Sequence, residues 1–346
     1  MQNWDIRLAS QVEAPELAIA PDKRLPFGWR AIPVQASGGA ATGLYWKADA
    51  DEWTGTSARL RVTVALDVRE EKRIEVLLTE SKTAVGELDI RYAYVFQPFE
   101  LLLDQAAATA ALREGLSLRM TKGEQPLWLF FEPAAPQPST LYVPHLLLDS
   151  GVAQEGRLDA GAGSAAARQP HPQPQSQLQP GETEARREAF LTRMLSYDSI
   201  QEYSWMGGCV LDGLLALTRC ASLPAGMAPQ ATIEAQLALF YDAHGGLRYE
   251  NPRSEPMDGR VCNIEMTLPF AIVAQVWPDH PSLAVALDFW LGRAEADEEN
   301  VIQDGDTLSA EGSYTIAYPL AVLARLRADG ELAELAGGSY WRDGID

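Results

Sequence analysis

Two stretches of this chain carry one helical pattern fifty residues apart, and few folds accommodate such a repeat. Cys262-Asn263-Ile264-Glu265-Met266-Thr267-Leu268-Pro269-Phe270-Ala271-Ile272-Val273-Ala274 runs through a proline into an apolar helix. Glu311-Gly312-Ser313-Tyr314-Thr315-Ile316-Ala317-Tyr318-Pro319-Leu320-Ala321-Val322-Leu323-Ala324 does so again, with Leu268-Pro269-Phe270-Ala271 falling on Tyr318-Pro319-Leu320-Ala321. A helical repeat of this period predicts stacked hairpins, a solenoid or a toroid, because each hairpin buries its apolar face only against its neighbours. An acidic residue stands ahead of each helix, Glu265 and Glu311.

The remainder divides by periodicity. Within residues 1–150, Leu60–Leu66 and Gly86–Tyr94 alternate apolar and polar side chains, as half-buried strands do. Further strands are expected at Trp29–Val34, Leu44–Lys47, Arg73–Leu77, Gly115–Met120, Leu127–Phe131 and Thr140–Leu148, with one Ala-rich helix at Leu103–Arg113. Seven to nine short strands separated by turn residues predict an antiparallel β-sandwich. Residues 151–184, rich in Gly, Ala, Pro and Gln, cannot bury enough apolar surface to offset their ordering entropy and read as a flexible linker. From Ala185 the period is helical: Ala185–Leu195, Met206–Thr218, Ala231–Tyr241, Glu265–Trp277, Ser282–Arg293 and Ser313–Arg327, with a last helix near Gly330. The expected fold class is therefore multi-domain β + α, an N-terminal antiparallel sandwich followed over 185–346 by an incomplete α/α toroid. Three hairpins are about half a ring. A longer parent chain would complete it; a homo-oligomer is the alternative.

Charge narrows the partners. The chain has 48 acidic and 28 basic residues, a net charge of −20, which repels nucleic acid and anionic membranes. No apolar run approaches the ~20 residues of a membrane helix, and no signal peptide is visible, so a soluble cytoplasmic protein is expected. Cys209, Cys220 and Cys262 have no metal-type spacing and read as buried, reduced thiols. No metal or cofactor is implied. His145 reads as structural, and His171 lies in the linker. Trp29, Tyr45, Trp46 and Trp53 are expected in packing rather than in a sugar-stacking platform.

Chemistry concentrates in the loops that enter the repeat helices. Tyr249–Arg260 carries Glu250, Glu255 and Asp258 together with Arg253 and Arg260, and Asp304–Gly312 carries Asp306 and Glu311. Tyr203, Trp205, Tyr249, Tyr314 and Tyr318 flank them. Carboxylates to move protons, arginines for an anionic group and aromatic faces for a ring are what an acidic-sugar site requires. The competing reading makes these acids solvated charges or helix caps, favoured by the helix dipole.

Gly259–Ala271 and Ser309–Ala321 resemble the six-hairpin glycosidases, and most of all the unsaturated uronyl and rhamnogalacturonyl hydrolases of glycoside hydrolase families 88 and 105. Tyr203-Ser204-Trp205-Met206-Gly207-Gly208-Cys209-Val210-Leu211-Asp212-Gly213-Leu214-Leu215 resembles their opening segment. The resemblance covers about residues 200–346. It implies hydration of the enol-ether double bond of a 4,5-unsaturated uronic acid, with an acid in an Asp-x-x-Tyr-Met-x-x-Pro-Phe segment. Aligned on Met266 and Pro269, that acid position is Cys262 and the Tyr position is Glu265, a departure that moves the acid to Glu265, then to Asp258, with Glu311 a third carboxylate. Arg260 or Arg253 would clamp the substrate carboxylate, and Tyr203, Trp205, Tyr249 and Tyr314 would line the oligosaccharide. Two alternatives stand beside this reading. One is another toroid glycosidase or a polysaccharide lyase; the other is a binding or scaffolding protein without chemistry.

Overall fold

Alternation along the first half of the chain produces sheets that bury one side. In the computed structural model, residues 4–46, 53–132, 141–149, 180–293 and 312–329 are described. Among them the strands are β1 (Trp4–Leu8), β2 (Gln11–Glu13), β3 (Arg30–Val34), β4 (Thr42–Tyr45), β5 (Ser57–Thr63), β6 (Lys72–Leu78), β7 (Ala84–Ile90), β8 (Pro98–Asp104), β9 (Leu116–Lys122), β10 (Leu127–Glu132) and β11 (His145–Asp149). All pairings are antiparallel. They make a sheet in the order β1-β11-β5-β8, a second in the order β2-β4-β9-β6-β7, and the ribbon β10-β3. In β5, Ala58, Leu60 and Val62 point inward while Arg59 and Arg61 face out, the period of two seen in the sequence. Leu60, Ile74, Leu118, Leu129 and Leu146 bring all three sheets into one apolar core. Helix α1 (Gln105–Glu114) packs on that core through Ala108, Ala111 and Leu112. Asp104 caps it by accepting from Ala107 N at 2.8 Å, and Gly115 ends it at φ 82°. Strands β1, β2 and β8 have no counterpart in the sequence reading. Leu103, expected to open the helix, completes β8 instead, because the cap at Asp104 sets the helix start.

The second half is helical: α2 (Pro180–Met194), α3 (Trp205–Thr218), α4 (Pro229–Ala238), α5 (Pro269–Val276), α6 (Ser282–Asp288) and α7 (Tyr318–Ala328). Helix α2 begins inside the stretch expected to be linker. The repeat appears as α5 and α7, which pack against each other, and α3 also packs on α5. Both have proline in the first turn, Pro269 and Pro319. The helix expected from Glu265 begins only at Pro269. Proline has no N–H to donate to the Glu265 carbonyl, so Ile264–Thr267 tightens into a 3₁₀ turn. Its counterpart before α7, Ser313–Ala317, is a π-helical turn. Thr267 joins the copies by donating its hydroxyl to the carbonyls of Ile264 (2.7 Å) and Thr315. The three cysteines, expected to be buried, are exposed. No helix among the described residues is long and apolar enough to cross a membrane.

The two halves share a core. Trp29, Phe96, Phe130 and Tyr142 of the β half belong to the same apolar cluster as Tyr203, Phe240 and Phe270 of the helical half. Phe27 bridges them edge-on to Phe240 at 5.0 Å between centroids. Polar ties run alongside. Tyr142 donates its hydroxyl to Ile200 O at 2.7 Å. Ser254 is fully buried at φ 58°, a left-handed conformation costly for a residue with a Cβ. Its hydroxyl accepts from Asp67 N and its carbonyl from Arg24 N, both at 2.9 Å. That conformation turns both its oxygens toward the sheets.

Candidate functional site

Two adjacent glycines set the geometry of the site. Ser204 caps α3, its hydroxyl accepting from Met206 N at 3.2 Å, which leaves Glu202 in the extended approach to the helix. A Cβ on Gly207 would lie 2.3 Å from the Glu202 carbonyl oxygen, and one on Gly208 would lie 2.5 Å from the Leu268 side chain. With hydrogen at both positions, the Glu202 backbone and the segment just ahead of α5 both close onto the first turn of α3. Glu202 and Glu265 become electrostatic neighbours in consequence.

Glu202 is 8% exposed. Burial raises its pKa to about 7, and the Glu265 charge adds to the rise; Ser204, whose hydroxyl is 3.5 Å from Glu202 Oε1, and the more distant Arg69 act against it. Glu265 is half-buried in its 3₁₀ turn. A carboxyl that holds its proton near neutrality, beside a second carboxyl, is the arrangement from which one group donates a proton and the other receives one.

The other residues singled out in the sequence divide into those near this pair and those that hold the halves together. Asp258 belongs to the second group. Its two oxygens accept from Arg24 Nη1 and Nη2 at 2.7 and 2.6 Å, and the Arg24 guanidinium holds its carboxyl below the usual carboxylate range. Arg24 also donates to Glu250 and to Tyr249 O. Arg253 is exposed, and its carbonyl accepts from Lys23. The loop expected to carry the chemistry is largely a clasp on the β half.

Tyr203 is enclosed by Phe240, Tyr249 and Phe270 and shares a 2.9 Å hydrogen bond with the Tyr241 hydroxyl. Tyr249 is equally buried, its hydroxyl accepting from Cys262 N at 3.2 Å. Neither ring has a face open to a sugar. Arg260 is exposed and lies within electrostatic reach of Tyr249 and Cys262. Trp205 and Tyr314 are exposed aromatics. Glu311 and Asp306 lie outside the described residues, as does His171. Trp29 and Trp46 are buried, as packing residues are.

Sequence reasoning passed over Glu202, Arg24 and Asp212. The doubled glycine at a helix start was the available signal for Glu202, since glycine there marks close backbone approach. Arg24 had none: its partners are more than 220 residues away in the chain. Among the described residues, no group of three or more His, Cys, Asp or Glu is placed to hold a metal ion. Comparison of the chain with protein-family models, with curated proteins and with solved structures found no match, so its functional reading rests on the chemistry of these side chains.

Proposed function

We propose that the protein is a carbohydrate-active hydrolase of acidic oligosaccharides in which Glu202 and Glu265 share the proton transfers. The observation that carries this reading is the buried Glu202 carboxyl, with the Ser204 hydroxyl 3.5 Å from its Oε1, in a place where burial and the Glu265 charge both push its pKa up. Glu202 is the proton donor: it retains its proton at a pH where surface carboxyls have lost theirs. Glu265, the more accessible of the two, receives the proton of the attacking water. For a 4,5-unsaturated uronyl substrate, protonation of the enol-ether carbon and addition of water at the neighbouring ring carbon give a hemiketal, which opens and releases the next sugar. Arg260 supplies the cation for the uronate. The soluble, cytoplasmic setting expected from the sequence belongs to the same proposal.

The test is loss of enol-ether absorbance from an unsaturated uronic disaccharide. Turnover by the wild type, lost in Glu202→Gln and in Glu265→Gln, establishes the pair. Turnover that survives Glu202→Gln moves the donor to Glu265. No turnover across several uronic substrates overturns the hydrolase reading and leaves a non-catalytic binding module. The use of Asp258 and Glu250 as partners of Arg24 favours that second reading, because it turns loop acids into structure.

A further inference from the structure

The helical half carries a second polar group that the carboxyl pair does not use. Tyr314 and Tyr318 donate their hydroxyls to opposite oxygens of one carboxylate, Asp212 Oδ2 at 2.9 Å and Oδ1 at 2.8 Å. The residues are four apart and their rings stack, with centroids 5.5 Å apart and planes 18° from parallel. On α3, Trp205, Cys209 and Asp212 follow at helical spacing and share one side of the helix. The Cys209 thiol meets the Tyr314 hydroxyl, and Trp205 precedes Cys209 by one turn on the same side of α3. Trp205 is 45% and Tyr314 39% exposed. Among the described residues, both oxygens of Asp212 are met by hydroxyls rather than by a cation.

This chemistry selects for charge. A phenol that donates its proton to an anion becomes electron-richer, and its ring face more negative. Two such rings share one carboxylate here, beside an exposed indole, in a chain of net charge −20. At the opposite end of α3, Arg219 donates to Gln275 Oε1 at 3.2 Å and its charge is felt at the Tyr318 hydroxyl, so a second cation is disfavoured there. Open aromatic faces stabilise alkyl groups as well as charge. A small, strongly hydrated ion would leave that apolar surface unused.

We propose that the Trp205–Tyr314–Asp212 corner binds the alkylated ammonium group of a cationic ligand, with Trp205 and Tyr314 as its aromatic walls and Asp212 as its counter-ion. None of the described partners of Asp212 lies on the arginine-bearing loop 249–260, so the proposal does not rest on the hydrolase reading.

The experiment titrates the full chain with choline and, separately, with its uncharged isostere 3,3-dimethylbutan-1-ol, followed by calorimetry and by ligand-observed magnetic resonance. Saturable choline binding is expected, at least about tenfold tighter than the isostere, weakened about tenfold by Asp212→Asn and by Trp205→Leu, and falling with added salt. Trp205 is a surface residue, so its variant decides the matter if Asp212→Asn fails to fold. Equal binding of the isostere, no saturation by choline, or undiminished binding in Trp205→Leu overturns the proposal. Saturable binding of a neutral hexose in place of choline would make the corner a sugar platform and overturn it equally.

Discussion

Surface acids of the sheets are balanced by cations, as are Glu250 and Asp258 where the helical half meets Arg24, whereas two acids deeper in the helical half, Asp212 and Glu202, are met by hydroxyls. On the sheets, Glu100 receives Arg59 and Arg61, Glu75 receives Arg119, and Glu71 receives Arg73 and Lys122, each pair at or near the surface. In the helical half, Asp212 is held by two phenols and Glu202 by Ser204, with Glu265 as its neighbour. Arg59 and Arg61 hold the Glu100 carboxyl below its ordinary range, and Lys122 and Arg73 do the same for Glu71. A buried carboxyl answered by a hydroxyl and a second acid is free to change its protonation state near neutral pH. The difference separates acids that hold structure from acids able to do chemistry.

The sharpest way to break that comparison is to remove one acid of each kind. Glu202→Gln is expected to lower turnover about 10²–10⁴-fold, the usual scale of a proton donor, while Glu75→Gln leaves it unchanged. Equal losses in progress curves would abolish the distinction. Gly207→Ala comes next. Its methyl would sit 2.3 Å from the Glu202 carbonyl oxygen, so about 3 kcal/mol of stability and the placement of Glu202 are expected to go together in denaturant titration and assay. Arg24→Ala tests the clasp between the halves. It strands the largely buried Glu250 and is expected to cost about 2–4 kcal/mol, against less than about 1 kcal/mol for Glu75→Gln.

Two pH dependences sharpen the contrast. Glu202 has a folded pKa raised from 4.5 to about 7, so the unfolded chain binds fewer protons between those values. Stability from this residue therefore falls as pH rises from 4.5 through 7, by on the order of 2–3 kcal/mol, and the decline is expected to vanish in Glu202→Gln. His145 has the opposite sign. It is fully buried, with Nδ1 donating to Val143 O at 2.7 Å, and burial lowers its pKa from 6.5 to about 4. Its contribution is fully present above pH 6.5 and is lost as pH falls through 4, a slope that His145→Gln is expected to reduce in acid unfolding curves.

The legible parts of this molecule were those with local causes. Period-two alternation placed β5 and β7, and the proline repeat placed α5 and α7, because each signal lies within a dozen residues of its consequence. The short strands β1 and β2 escaped notice since three to five residues carry little period, and β1 gains its order from β11, some 140 positions away. The site was half visible. Glu265 stood out for its place in the repeat, but its neighbour Glu202 is brought to it only by tertiary closure around Gly207 and Gly208. Asp258, attractive for its setting among arginines, is claimed by an arginine outside that loop altogether. Tyr203 and Tyr249 looked like substrate rings because composition reports aromatics without reporting which way they face.

The core shared across the sheets and helices bears on how such a chain can be inherited. A recombination event between Asp149 and Pro180 would exchange one half for another at a place where composition invites a cut. The offspring would then carry Trp29, Phe96 and Phe130 opposite a strange partner, or Tyr203 and Phe240 opposite none. Phe27 would lose Phe240, and Arg24 would face whatever loop replaced Glu250 and Asp258. Shuffling of this kind succeeds for beads on a string and fails for halves of one interior. A chimera joined there is expected to leave apolar surface of both halves uncovered.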